Sequence, residues 1–153
     1  GELTTTQMAA MTTAQVRALT ETNVGDLADT QIAALTATQI ASLSTTNIAA
    51  LAETQATALT ATQISALTTA QVRALSETNL SALDATQVAA MTTAQARALT
   101  ATQIDALSAA DVAEFTVTQL GSFNTTQIQA LTETSVVAGL LVVAATGQQR
   151  RAP

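Results

Sequence analysis

The chain has 153 residues, enough for one domain, and charged side chains make up only 10% of them. It contains no Cys, His, Trp or Tyr, which excludes thiol chemistry, disulfides and the usual proton-transfer residue at neutral pH. Acids outnumber basic residues by 11 to 5, the net charge is −6, and no Lys occurs. Because such a surface repels phosphate backbones, we expect no nucleic-acid partner.

The two ends of the chain stand outside its main pattern. Residues 1–2 precede the repeat, and we interpret Gly1 as a cloning remnant and the chain as a piece of a longer array. Residues 139–153 also leave the pattern, and we interpret them as a cap on the array or as the start of a following domain. The longest apolar run, 136–145, is shorter than the roughly 20 residues that span a bilayer, so we expect no membrane span.

From residue 3 to residue 131 a large apolar residue recurs every eight positions. It is Leu except at Met11, Met91, Phe115 and Phe123, and the intervening sequence stays close to L-T-x-T-Q-I-x-A. A fixed short period is typical of a repeat array. The sequence therefore predicts an octapeptide-repeat solenoid over residues 3–138, with about 17 octads, in which we number the large apolar residue as position 1.

Each octad carries its own helix-start signal. Position 2 is Thr, Ser, Asp or Asn in 15 of 17 octads, and position 5 is Gln or Asn in 15 of 17. Thr-x-x-Gln is a capping box, in which the hydroxyl accepts from the backbone N–H three residues on and the amide reaches back to the cap N–H. The clearest predicted caps are Thr4, Thr12, Thr20, Thr36, Thr60, Thr68, Thr92 and Thr100.

Positions 1 and 6 form the predicted core. Leu before the cap and Ile four residues into the helix make the hydrophobic staple that accompanies a capping box. We expect the Ala at position 8 to join them, because a small residue lets short helices approach closely. The core residues that we expect are Leu19, Leu35, Leu43, Leu67, Leu75, Ile32, Ile40, Ile64 and Ile104.

Three architectures compete for this repeat. One continuous helix is disfavoured, because eight residues at 3.6 per turn make the apolar stripe drift by about 80° per octad. A β-solenoid is the alternative that stays open, since Thr, Ile and Val favour strands, although the repeats lack the Gly, Asn and Asp turns that close β-coils. The sequence predicts an all-α solenoid of very short capped helices, one per octad, with two to four octads per coil.

Few side chains carry reactive chemistry. Asp105, Asp111 and Glu114 are the densest group of acids, and they lack both a partner base and the loop spacing of calcium motifs. We expect no catalytic residue, metal site or cofactor, and therefore no enzyme.

Three arginines share position 7 and are the candidates for a recognition surface. They are Arg17, Arg73 and Arg97. The simpler interpretation is an exposed ion pair between Arg17 or Arg73 and the Glu four residues later, worth at most about 1 kcal/mol. A binding role requires the arginines to lie on one face.

The strings TTAQVRAL, TATQISAL and TTTQMAAM resemble octapeptide arrays found in very large bacterial secreted and surface proteins, often described as adhesin-like. The resemblance covers about residues 3–138. It implies an extracellular or cell-surface location, neighbouring domains in a longer chain, and no catalytic residues.

Two functions follow as hypotheses, with a third of less weight. The first is a structural module, a stalk, spacer or scaffold. The second is a recognition solenoid that binds a protein or glycan partner through positions 3 and 7, in which case those side chains form a contiguous patch. The third is an ice-binding Thr array, because T-x-T rows resemble those of ice-binding β-solenoids.

Overall fold

A computed structural model of the protein describes residues 3–131, which form 16 short helices joined by extended corners. Their bounds are α1 Thr5–Ala10, α2 Thr13–Arg17, α3 Glu21–Gly25, α4 Asp29–Ala34, α5 Ala37–Ser42, α6 Thr45–Ala49, α7 Glu53–Thr57, α8 Ala61–Ala66, α9 Thr69–Ala74, α10 Glu77–Ser81, α11 Ala85–Ala90, α12 Thr93–Ala98, α13 Ala101–Asp105, α14 Ala109–Glu114, α15 Val117–Leu120 and α16 Thr125–Ala130. Since these residues contain no strand, the all-α prediction is confirmed and the β-solenoid alternative is wrong for them.

Residues 132–153, and with them the last predicted octad and the C-terminal segment, lie outside the described part of the chain, as do residues 1–2.

Each helix begins at the predicted capping box. At α5 the Gln39 backbone N–H donates to Thr36 Oγ1 over 3.2 Å, and the Thr36 N–H donates to Gln39 Oε1 over 2.6 Å. The helix ends where Leu43 leaves the helical region with φ −60° and ψ 148°, its N–H still bonded to the Ile40 carbonyl. The large apolar residue and the cap after it therefore form an extended corner that turns the chain into the next helix.

The corners explain why the array needs few turn residues. Leu and Thr occupy them in extended conformations, and no residue between 3 and 131 has a positive φ. The left-handed conformation that favours Gly or Asn is not required. The scarcity of Gly that counts against a β-solenoid is thus compatible with this helical path.

Three octads make one coil. Every helix packs against the third helix after it along the chain, so a coil contains 24 residues and the helices form three columns. The first column contains α1, α4, α7, α10, α13 and α16; the second contains α2, α5, α8, α11 and α14; the third contains α3, α6, α9, α12 and α15. Each helix is too short to be stable alone, so its stability comes from the helices above and below it.

The core runs along the axis between the columns. Position 6 side chains are buried throughout the inner coils, as are the position 1 residues from Leu35 to Phe115. Of the predicted core residues all are buried except Leu19, which is half-buried because it lies in the first coil. The expectation for position 8 is wrong: apart from Ala98 its side chains are half-buried or exposed, and Gln at position 5 is the third buried side chain.

The cap makes the first testable prediction. Thr36→Ala removes the hydroxyl that accepts from the Gln39 N–H and should lower the free energy of unfolding by about 0.5–2 kcal/mol, measured by urea denaturation. Thr38→Ala is the matched control: Thr38 is exposed inside the same helix, where Ala is the better helix former, so no loss is expected. Equal stability of the two variants would remove the capping role of position 2.

Candidate functional site

The most specialised group in the molecule is the position 5 amide, which joins each coil to the coil before it. Gln63 Oε1 accepts from the Thr60 N–H over 2.7 Å, inside its own octad. Its Nε2 donates to the carbonyls of Ile32 over 3.0 Å and Leu35 over 2.6 Å, which belong to the corner one coil earlier. One amide therefore caps the start of its own helix and the end of another helix.

This bridge recurs along the whole described array. Of the 13 octads that have a preceding coil, 12 carry an amide at position 5 that is buried and donates to an earlier corner. They are Gln31, Asn47, Gln39, Gln55, Gln63, Gln71, Asn79, Gln87, Gln95, Gln103, Gln119 and Gln127. A buried amide is tolerated only when its donors and acceptor are satisfied, so each bridge specifies how two coils align.

The Asn variants show which half of the bridge matters more. Asn47 donates to the Leu19 carbonyl over 2.9 Å and Asn79 to the Leu51 carbonyl over 2.7 Å. Neither accepts from its own cap N–H, because the side chain is one methylene shorter than Gln. Asn23, which has no coil before it, does accept from the Thr20 N–H. A side chain that reaches only one partner in an inner coil thus makes the bond between coils.

The two octads without a capping hydroxyl support the same ranking. Ala28 and Ala52 stand at position 2, yet Gln31 and Gln55 still accept from their N–H groups over 2.7 and 2.9 Å. The hydroxyl half of the capping box is therefore dispensable, whereas the amide half is kept.

Sequence reasoning assigned the Gln only to its capping box and missed the bond between coils. A signal was present in the charges. Asp29, Glu53 and Glu77 follow one another at intervals of 24 residues, and so do Arg73 and Arg97. A recurrence of three octads is the coil length, which places these residues in register along one column.

Asp111 is the one break in the bridge. Its carboxylate has no N–H to donate, so the corner carbonyls of Leu80 and Leu83 receive no position 5 amide. The contact is reversed: Ser81 Oγ donates to Asp111 Oδ2 over 2.6 Å, and the same oxygen accepts from the Ser108 N–H over 2.8 Å. This corner therefore has fewer bonds between coils than any other inner corner.

Glu114 adds a second irregularity on the same helix. Its Oε2 is buried and has no hydrogen-bond partner among the described residues. Partial burial raises the pKa of the Glu114 carboxyl above its ordinary value, and the nearby carboxylates of Asp111 and Asp84 raise it further. The predicted group of acids does not form as a unit, because Asp105 lies on α13 in the first column. Within residues 3–131 no three acids are arranged to hold a metal ion.

The outer surface differs from column to column. The first column carries Asp29, Glu53, Glu77 and Asp105 and no arginine among its described residues. A shallow groove beside Glu53 and Glu77 is also lined by Ser81. Position 4 of this column is an unbroken exposed row, Thr6, Thr30, Thr54, Thr78, Thr102 and Thr126.

The three arginines do not share one face. Arg73 and Arg97 lie in the third column in successive coils, and Arg17 lies in the second. The expected ion pairs with the following Glu are wrong for residues 3–131, where no arginine pairs with an acid. Arg73 instead donates through Nε to the Ala98 carbonyl, at the end of the neighbouring helix, over 3.0 Å. All three side chains are exposed.

The bridge can be tested without disturbing the cap. Gln63→Glu keeps an oxygen for the Thr60 N–H but replaces the donor by a carboxylate that faces the Ile32 and Leu35 carbonyls. Burying an uncompensated charge should lower the free energy of unfolding by about 3–5 kcal/mol in urea denaturation. Gln15→Glu is the control, because Gln15 is exposed in the first coil and donates to no other coil among the described residues, so little change is expected. Equal losses would contradict the bridge.

Glu114 gives a prediction for pH. Its folded pKa is raised, so the charged form is disfavoured in the fold; the penalty is absent below the ordinary pKa and appears as pH rises through the raised one. Glu114→Gln should therefore raise the urea midpoint near neutral pH, with a gain that shrinks at acidic pH. Glu53→Gln serves as the comparison for removal of an acid from another column. A gain that is the same at both pH values would contradict the assignment.

Comparison with known proteins gives one match. A family model described as ALTTAQ repeat matches residues 62–93, which are 32 of the 153 residues and run from inside α8 to the start of α12. Comparisons with curated proteins and with solved structures gave no match. The matched segment thus resembles a known octapeptide repeat, and the same coil geometry extends on both sides of it through residues 3–131.

Proposed function

We propose that this structural repeat module serves as a spacer or stalk that sets the distance between other parts of a larger bacterial secreted or surface protein. The observation that carries the proposal is the repetition of one contact: each described coil packs on the previous one through the same helices, and almost always through the same amide bridge. The length of such an array grows in equal steps with the number of coils.

The step can be set from helix packing. Helices pack at about 8–10 Å between axes, so one coil adds about that length. From α1 to α16 the first column contains five such steps, which amounts to roughly 40–50 Å. Three-sided packing and bridges at all three corners resist bending, which suits a spacer.

The location and chemistry of the module are also proposals. The resemblance to arrays of large secreted proteins supports an extracellular or cell-surface location. None of the helices in residues 3–131 has the length and apolar character needed to cross a membrane. The groups available for catalysis are scattered acids and hydroxyls, and most position 2 hydroxyls are already used as caps, which supports a non-enzymatic role without a cofactor.

A recognition surface is the second proposal, and one observation favours it. The acids at position 3 do not scatter: three of them, Asp29, Glu53 and Glu77, lie in successive coils of the first column beside the Thr row. A protein or glycan partner with basic or hydroxyl groups would complement that face. We do not extend the ice-binding alternative, because helix stacking separates successive Thr by about 8–10 Å, roughly twice the spacing of β-strands.

The spacer proposal is tested by changing the number of coils. The native chain has no Cys, so Thr6→Cys and Thr126→Cys give unique spin-label sites on exposed positions of the first column. Deletion of residues 59–82, one coil, should shorten the distance between the labels by about 8–10 Å and leave its distribution narrow.

Deletion of residues 59–66, a single octad, is the matched control. It should move the second label to a neighbouring column rather than shorten the array by a full step. A broad distance distribution in the native chain, or a distance that does not follow the coil count, would argue against a spacer. Loss of partner binding by Glu53→Gln and Glu77→Gln at unchanged length would favour recognition instead.

A further inference from the structure

The first coil presents the bridge amides without a coil to bridge to. Gln7, Gln15 and Asn23 stand at position 5 of α1, α2 and α3, and all three are exposed, whereas the same position is buried in 12 later octads. Their oxygens accept from the N–H groups of their own caps over 2.8, 2.8 and 3.1 Å. Their NH₂ groups have no acceptor among the described residues.

The apolar surface at this end is open in the same way. Leu3 is 43% exposed, and the next three position 1 residues, Met11, Leu19 and Leu27, are half-buried, whereas Leu35 is 3% exposed. Leu3, Leu19 and Leu27 line a hollow of about 300 Å³, whose rim carries Asn23 and Asp26. Three amide donors and an apolar floor thus occupy one end of the array.

These donors are already oriented. The bond from each cap N–H fixes the amide oxygen, so the NH₂ group is held in the direction that inner amides use to reach an earlier corner. Little side-chain freedom remains to be lost on binding, which favours association. The complementary surface is known from inside the molecule: it is a corner with carbonyls at positions 6 and 1, as Ile32 and Leu35 present to Gln63.

We propose that the first-coil end is a docking surface for a further coil of the same octapeptide repeat, stacked on α1, α2 and α3. The corners of that coil accept from Gln7, Gln15 and Asn23, and its position 6 and position 1 side chains cover Leu3, Met11, Leu19 and Leu27. The contact continues the interface between inner coils and does not depend on whether the array works as a spacer.

The reach of the bridge sets the size of the occupant. Gln39 donates to carbonyls 28 and 31 residues earlier, so it uses two octads beyond the three of one coil step. Gln31, whose partner corner is incomplete, donates only to the Leu3 carbonyl and stays slightly exposed, at 8%. Four octads are therefore needed to satisfy Gln7 completely.

The test adds those octads to the full chain. A copy of residues 59–90, four octads, is joined directly before Leu3. We expect hydrogen exchange of the α1–α3 backbone and of the three side-chain amides to slow by at least about tenfold, the effect of one to two net hydrogen bonds. A scrambled segment of the same 32 residues is the control and should leave exchange unchanged.

A triple variant separates docking from folding. Gln7→Glu, Gln15→Glu and Asn23→Asp keep an oxygen for each cap N–H, so the helices of the unextended chain should keep their helical circular dichroism and stability. In the extended chain the carboxylates face carbonyls, and the tenfold protection should be lost near neutral pH. It should return as acid protonates the carboxyls, because a protonated carboxyl can donate.

Two outcomes overturn the proposal: an added coil that leaves exchange at α1–α3 unchanged, or a triple variant that is protected as well as the parent at neutral pH. End-to-end association of unextended chains that the triple variant abolishes is the same contact made between two molecules, and it supports the proposal. Failure of the spacer test leaves these exchange measurements unaffected, so the two proposals are separately decided.

Discussion

One side-chain amide, shared between two coils, holds the array in its shape. The oxygen of Gln63 is committed to its own helix start and its NH₂ to the corner of the preceding coil. Neither half is left for water, so the amide is buried at low cost, and a shift of one coil against another would break both ends of its bonding. Leu and Ile supply apolar burial, which is non-directional, whereas the amide supplies alignment.

The dependence on this amide also shows where the array is weakest. Asp111 replaces the donor by a carboxylate, a serine hydroxyl reverses the bond, and Glu114 leaves a buried oxygen without a partner on the same helix. Phe115 and Phe123 lie just beyond, with their rings edge to face at 5.7 Å, and fill space next to the irregular corner. In a molecule whose stability is a sum of neighbour contacts, this corner is where local opening requires the least free energy.

The local part of this fold could be predicted from the sequence, and the part between coils could not. The capping box at Thr36 and the pairing of Leu with Ile follow from residues within one octad, because both depend on distances that the helix itself determines. Three octads per coil, the burial of Gln63 and the difference between Leu19 and Leu35 depend on a chain segment about 30 residues away. No propensity reports that distance. The column of Asp29, Glu53 and Glu77 was readable only once the coil length was known.

The span of the bridge has a consequence for how such a chain folds. The position 5 amides reach corners 28 to 31 residues earlier, wherever they lie in the array. Relative contact order therefore falls as octads are added, and folding rates rise as relative contact order falls. A chain leaving a ribosome or an export pore needs about four octads outside before its first bridge can close, and each later octad docks on a finished surface. Very long arrays of this repeat can thus fold progressively from one end, without waiting for the remainder of the chain.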